Sequence, residues 1–196
     1  MYDGILSYML SSEKWPARVR ARVEERPVSQ HEAPMTPAHI WRDMTAEQRL
    51  AAAAALWSDS DSVQQQAEAV QAIARQLHFR PQSVLKLAPE KRARHLAALR
   101  IVPESLASRA LVVYHLVSRR PMLEAFLDKL GIAHENGLIT EGAKDAPDEP
   151  TLREAAAALL AAFQAADVRV YLLTLAAQDP AAWGPLGPIV SELIPS

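Results

Sequence analysis

Histidines are the residues of this chain best suited to acid–base chemistry or metal binding. No two of them lie three to five residues apart, and neither His-Glu-x-x-His nor Glu-x-x-His occurs, so spacings that place two ligands on one helix face are missing. The chain also has no cysteine, which excludes thiolate ligands and iron–sulfur clusters. The sequence therefore predicts no metal site and no cofactor. The histidines are His31, His39, His78, His95, His115 and His134.

The candidate catalytic residues are His115, Arg119 and Arg120. A neutral imidazole in a partly buried site can accept or donate a proton near pH 7. The enzyme hypothesis places these residues in a cleft between helices, with a tyrosine or a carboxylate nearby. In the alternative, which the sequence favours, His115 and Ser108 form the single polar strip of a buried helix, and His115 hydrogen-bonds internally.

Glycine-dependent catalytic motifs are missing from the sequence. Its six glycines form neither Gly-x-Gly-x-x-Gly nor a P-loop, and Gly-x-Ser-x-Gly does not occur. Nucleotide binding by those two routes and a serine nucleophile elbow are therefore excluded.

Lys91, Arg94 and His95 form the strongest basic face of any predicted helix, opposite Leu96 and Leu99. Such a face can bind a nucleic-acid backbone without sequence specificity, or it can bind an acidic partner. The alternative is an ordinary solvated helix face.

Two further sets of residues are candidates for binding. His134 and Glu135 precede the turn sequence at 136–137, and polar loops of this kind can carry ligand contacts, although the same residues suit a plain turn. Trp15 and Trp41 lie near prolines in the first part of the chain. If exposed they would indicate a partner or dimer contact, because tryptophan is favoured as an interface anchor; otherwise they belong to the core.

Charge is distributed unevenly along the 196 residues. Between residues 75 and 129 there are eleven basic and four acidic residues, whereas the segments 1–74 and 130–196 are both net acidic. The preferred interpretation is that the acidic ends pack against the basic middle. Non-specific nucleic-acid binding through residues 75–129 is an alternative. The helix from 121 to 130 argues against base recognition, because its outward side chains are Glu124, Asp128 and Lys129.

Helical patterns dominate the chain from residue 45 onward. Thr45 to Gln48 and Thr151 to Glu154 have the capping-box pattern, and Asp167 is a candidate cap for a helix from 168 to 177. Prolines at 81, 89, 103 and 121 stand where first-turn prolines cost no hydrogen bond. Apolar residues on nearly every side of 104–117 predict a central, buried helix. The sequence therefore predicts an all-α fold, an irregular multi-helix bundle of about eight short helices.

The predicted organisation has four parts. Residues 1–44 form an extended, proline-rich N-terminal arm with a short helix, residues 45–140 the main helical body, residues 141–150 an acidic linker, and residues 151–196 helices that pack on the body. The first ten residues do not resemble a signal peptide, and the most apolar stretch, 155–177, contains charged residues. We therefore expect a cytoplasmic protein without a membrane contact.

No motif assigns a function, and the leading hypothesis is a non-catalytic helical domain. Such a domain would bind another protein or a second copy of itself through the proline-rich arm and exposed helix faces. The alternatives are an enzyme or small-molecule-binding protein with a pocket near His115 and Arg119, and the nucleic-acid binder described above.

Overall fold

The computed structural model describes residues 35–140 and 146–194, and this part of the chain is almost entirely helical. It contains eleven helices and one two-stranded hairpin, which confirms the all-α, multi-helix prediction; the count exceeds eight because several helices are very short. Most of the predicted arm, including Trp15, and the first half of the acidic linker, residues 141–145, lie outside the described residues. The elements are α1 (Pro37–Asp43), α2 (Ala46–Ser58), α3 (Val63–Leu77), α4 (Pro81–Leu85), α5 (Pro89–Ala98), α6 (Glu104–Ser118), α7 (Arg120–Lys129), β1 (His134–Glu135), β2 (Leu138–Ile139), α8 (Glu149–Ala162), α9 (Ala165–Gln178), α10 (Pro180–Trp183) and α11 (Leu186–Leu193).

The described helices fall into two compact units. One is Thr36–Arg119, which contains α1 to α6, and the other contains Arg120–Ser196, with α7 to α11 and the hairpin. The predicted division at the linker 141–150, with 151–196 packing on the body, stays a prediction.

The Thr36–Arg119 unit is built around α2 and α6. Helix α2 packs against α5 and α6, α1 packs against α6, and α3 packs against α4, α5 and α6. Ala52 and Ala53 of α2 are fully buried, and their small side chains let the neighbouring helices approach closely. Most of helix α6 is buried as its apolar pattern predicts, but Val117 near its end is 62% exposed. The largest interior side chains of this unit are Trp41, Leu56, Ile73, Leu96, Leu106, Leu111 and Tyr114.

Side-chain hydrogen bonds fix α1 against the rest of its unit. The Glu104 carboxylate, in the first turn of α6, accepts from Thr36 Oγ1 at 2.6 Å and from the Ala38 backbone N–H at 3.0 Å. Trp41 Nε1–H donates to the Leu99 carbonyl at 2.7 Å. These bonds span more than fifty residues of sequence, so no local pattern predicts them.

One of the two predicted capping boxes is confirmed and the other is wrong. The Thr45 hydroxyl accepts from the Gln48 backbone, and the Gln48 side chain accepts from the Thr45 N–H, so the first box is complete. The next predicted box fails because Asp148 is the cap: its carboxylate accepts from the Thr151 N–H at 2.9 Å. Thr151 therefore lies inside α8, whose first turn tolerates Pro150 because no backbone donor is lost there.

Helix α9 begins earlier than predicted. It starts at Ala165 with Gln164 as its N-cap, so Asp167 lies in the first turn and does not cap the helix. A carboxylate in that turn still interacts favourably with the positive end of the helix dipole. The choice of helix rather than strand for this segment is confirmed.

The Arg120–Ser196 unit packs α8 against α7, α9 and α11. Phe126 of α7 lies at the centre of its aromatic core, with ring centroids 5.6 Å from Tyr171 in an edge-on contact and 6.1 Å from Trp183. The hairpin between α7 and α8 turns at Asn136 and Gly137, which both have positive φ, as an Asn-Gly turn requires. The sequence predicts this turn, but it does not predict the two short strands beside it.

Asp179 caps α10 while buried, and we expect it to make the stability of this unit depend on pH. Its carboxylate accepts from the backbone N–H groups of Ala181 at 3.1 Å and Ala182 at 3.2 Å. Burial raises the pKa of Asp179, and these two bonds offset part of that effect. Because the pKa is higher in the folded state, folding takes up a proton. Stability from this group is therefore present below the unfolded pKa and is lost as pH rises through the folded pKa.

Asp179→Asn is expected to keep or raise the free energy of unfolding at pH 7, because asparagine retains the capping oxygen without a buried charge. Asp179→Ala is the matched control, and it should lose about 1 kcal/mol with the cap. Urea unfolding of both variants between pH 3 and pH 7 measures the effect. If the asparagine variant is as unstable as the alanine variant at pH 7, the charge itself is required.

Candidate interaction surface

The predicted basic face of α5 is on the outside of its unit. Lys91 and Arg94 are exposed and His95 is half-buried, while Leu96 and Leu99 are buried on the opposite side. Neither Lys91 nor Arg94 has a carboxylate partner among the residues that the structure describes. The amphipathic pattern of this helix thus predicts correctly which side chains face solvent.

Further exposed basic residues lie on or directly beside the two preceding helices. Six basic residues and one acid, Glu90, lie between positions 75 and 94. This segment covers the end of α3, all of α4 and the start of α5, and α3 packs against both other helices. We call the exposed basic residues and the exposed large apolar residues of this segment the basic–apolar surface. They are Arg75, Phe79, Arg80, Leu85, Lys86, Lys91 and Arg94.

Phe79 and Leu85 are the apolar members of the basic–apolar surface. Their side chains are 50% and 58% exposed. The chain reverses at His78, which has a φ of 53° and caps α3, and the Phe79 N–H donates to the Ala74 carbonyl at 2.9 Å. This is the Schellman pattern, which satisfies a terminal helix carbonyl and fixes the Phe79 backbone. Neither residue was predicted from the sequence; for Phe79 the usable signal was an apolar residue between His78 and Arg80, two positions before Pro81.

Ion pairs neutralise only part of the basic middle of the chain. Within the described ranges, Arg109 pairs with Asp59 at 2.7 Å and Lys129 with Glu154 at 2.6 Å. The exposed basic side chains between 75 and 94 have no such partner there. Within the described ranges, acidic residues from the ends of the chain therefore do not pair with the basic–apolar surface. Packing of the acidic ends against the basic middle stays a prediction.

Of the candidate catalytic residues, His115 and Arg119 lie at the end of α6, and Arg120 is the first residue of α7. His115 is 3% exposed, and its ring centroid is 5.1 Å from that of Tyr114. The Arg119 guanidinium lies 5.1 Å from the Tyr114 ring centroid, within the range of a cation–π contact. Arg120 begins α7 and is exposed. A substrate would have to reach an imidazole in the interior, so the catalytic role of His115 stays a prediction without geometric support.

His134 has a structural role in the hairpin. Its Nδ1 accepts from the Gly137 N–H at 3.4 Å, which leaves Nε2–H to donate to Asp128 Oδ1 at 3.1 Å. The ring therefore connects the hairpin turn to the end of α7. Glu135 is exposed on the neighbouring position. This arrangement fits the plain-turn interpretation better than a ligand contact.

Trp41 does not offer a surface anchor. Its side chain is 1% exposed and its indole N–H is already bonded to Leu99. The exposure on which the proposed partner contact of Trp41 depended is therefore absent, because α1 packs onto α6, and this burial fits the alternative that Trp41 belongs to the core. Trp15, the other tryptophan proposed as an anchor, lies outside the described residues.

In residues 35–140 and 146–194, no group of three or more His, Asp or Glu side chains is arranged to hold a metal ion. No helix in those ranges is long and apolar enough to cross a membrane. Comparison with known proteins finds no family model, no curated protein sequence and no solved structure that matches this chain significantly.

Proposed function

We propose that this chain is a non-catalytic helical interaction domain that binds an acidic, partly apolar segment of a partner protein through the basic–apolar surface. The observation that carries the proposal is the placement of Phe79 and Leu85, both at least half exposed, among five exposed basic residues. A cytoplasmic location belongs to the same proposal.

Charge complementarity selects the sign of the partner. Lys86, Lys91 and Arg94 are exposed without carboxylate partners in the described part of the chain, so a positive potential remains on this side. Positive surfaces steer acidic partners into place and repel basic ones. A second copy that contacts the same surface in a symmetric dimer would bring like charges together, which is unfavourable.

The apolar side chains favour a protein segment over a nucleic acid. Phosphate contacts require only the basic residues, and a leucine has no ring on which a base can stack. A protein segment, by contrast, gains affinity from burying Phe79 and Leu85 inside a rim of charged contacts. The observed mixture therefore fits an acidic amphipathic helix or strand better than a phosphate backbone.

The test uses the full chain and a defined probe, a short fluorescein-labelled peptide with glutamate on one helical face and leucine on the other. Fluorescence anisotropy measures its Kd at low salt. Arg80→Glu combined with Lys86→Glu should raise the Kd at least about tenfold, because two attractions become repulsions. Phe79→Ala with Leu85→Ala should also raise it at least about tenfold, through the lost anchors. Added salt should weaken binding.

Matched controls separate this surface from general charge and hydrophobicity. Arg42→Glu changes an exposed basic residue of α1, and Ile101→Ala removes an exposed side chain that follows α5 (88% exposed); both should leave the Kd unchanged. Equal losses in the control variants would contradict the proposal. Labelled DNA that binds more tightly than the peptide, with an affinity that the Phe79 and Leu85 changes do not alter, would also contradict it. A dimer of the chain alone that dissociates when those residues are altered would contradict it as well.

A further inference from the structure

Arg92 of α5 lies against Trp57 of α2, at the contact between these two packed helices. The guanidinium carbon is 4.7 Å from the indole ring centroid, which is cation–π geometry. Both residues are half-buried. They are thirty-five positions apart, and neither is among the candidate site residues that the sequence predicts.

Two hydrogen-bond donors in this contact have no acceptor. Trp57 Nε1 and Arg92 Nε are both buried, and neither has a hydrogen-bond partner within the described residues. Buried polar groups are satisfied in the great majority of cases, and each exception calls for an explanation. Two adjacent exceptions, one of them on a permanent cation, indicate that an acceptor binds there.

Other arginines of the same unit show what a satisfied site looks like in this fold. Arg109 donates to Asp59 Oδ2 and to Ser62 Oγ, both at 2.7 Å. Arg49 donates to backbone carbonyls, one of them Ala97 at 2.9 Å. Arg92, by contrast, has no carboxylate within ion-pair distance in the described ranges. Arg109 and Arg49 thus show that this fold can supply acceptors to enclosed arginines, whereas the Arg92 Nε–H receives none in the described ranges.

We propose that Trp57 and Arg92 form a binding site for a single carboxylate group. The chemistry of the two donors defines the ligand: tryptophan can only donate, and arginine donates with a full positive charge, so the ligand must accept and carry negative charge. One N–H from each residue matches the two oxygens of a carboxylate, and one cation matches its single charge. The carboxylate comes either from a small organic acid or from an acidic side chain of a bound protein. This site stands independently of the basic–apolar surface.

The test uses the tryptophan indole signals in a ¹H–¹⁵N NMR spectrum of the full chain. The sequence has four tryptophans and therefore four indole N–H signals, and Trp57→Phe identifies the one from Trp57. Sodium acetate is titrated at pH 7 against sodium chloride of equal ionic strength. The chemical shift of the Trp57 indole N–H should change saturably with acetate and not with chloride. The Trp41 shift should not change, because its N–H already donates to the Leu99 carbonyl. Arg92→Gln should raise the fitted Kd at least about tenfold.

Additional titrations distinguish the sources of the carboxylate and the competing outcomes. A glutamate-containing peptide that shifts the Trp57 signal more tightly than acetate, with its glutamine counterpart inactive, assigns the site to a protein side chain. Saturation by acetate alone assigns it to a small acid. No saturable shift with either probe, or a shift with inorganic phosphate only, overturns the proposal.

An Arg92→Lys variant covers the case in which Arg92→Gln does not fold, since it keeps the charge but loses Nε–H and should also weaken binding. Phe79→Ala should leave the acetate response unchanged, so failure here and failure of the basic–apolar surface are distinguishable.

Discussion

Trp41→Ala is expected to lower the free energy of unfolding by about 3–5 kcal/mol, the range for removing a buried tryptophan. Trp41 is 1% exposed and is among the largest fully buried side chains of its unit. Truncation leaves a cavity between α1 and the helices beneath it, and the Leu99 carbonyl loses the donor that lies 2.7 Å away. Urea unfolding followed by circular dichroism measures the loss.

Two variants separate the causes of this loss. Trp41→Phe fills most of the volume without the N–H donor, so it should be clearly less destabilising than Trp41→Ala. His39→Ala, an exposed position on the same helix, should change stability by no more than about 0.5 kcal/mol. A Trp41→Ala variant as stable as His39→Ala would show that α1 contributes nothing to the folded unit and would contradict the packing described above.

Local chemistry is the part of this fold that the sequence predicts well. Prolines 81 and 89 each stand at the start of a short helix, as their missing N–H predicts, and the Thr45 box begins α2. The apolar pattern of α6 correctly predicts its burial. These features depend on residues within one or two turns of each other, so the order of residues along the chain is enough to predict them.

Competition between neighbouring residues explains one of the two errors at helix starts. Asp148 and Thr151 both carry acceptor oxygens, and they are three positions apart, so either one can cap α8. Asp148 is the cap in the fold, and Thr151 becomes the donor to it. The predicted start of α9 was wrong for a different reason: its N-cap, Gln164, makes no side-chain capping bond, so no capping residue marks the start at Ala165. A sequence pattern identifies candidate caps but does not decide between them.

Residues of the candidate sites differ in how far the sequence predicts them. Lys91 and Arg94 follow from helical periodicity on α5, because Leu96 marks the buried side. Phe79 does not, since the left-handed residue His78 interrupts the periodicity at the end of α3. The contact of Trp57 with Arg92 joins two helices distant in sequence, and only the tertiary fold shows that their donors lack acceptors.

Arg49→Met is expected to lower the free energy of unfolding by about 3 kcal/mol, because it leaves several backbone carbonyls without the charged donor that they share. Arg49 is buried in α2. Its Nε donates to the Ala97 carbonyl at 2.9 Å and its Nη1 to those of Arg42, at 3.4 Å, and Met44. One guanidinium therefore connects the ends of α1 and α5 to α2. Chemical denaturation measures the loss.

Arg49→Lys tests whether the fork geometry matters, because a lysine ammonium keeps the charge but cannot reach acceptors in two directions as a planar guanidinium does. It should be nearly as unstable as Arg49→Met.

Burial lowers the pKa of Arg49, and the nearby charge of Arg100 lowers it further, so the guanidinium is held charged against a repulsive neighbour. Arg100→Gln should therefore raise stability slightly at low salt, and the gain should shrink as salt screens the repulsion. An Arg100→Gln variant that is destabilised at every salt concentration would show that Arg100 makes a favourable contact that outweighs this repulsion. A stable Arg49→Met variant would show that water can satisfy the three carbonyls.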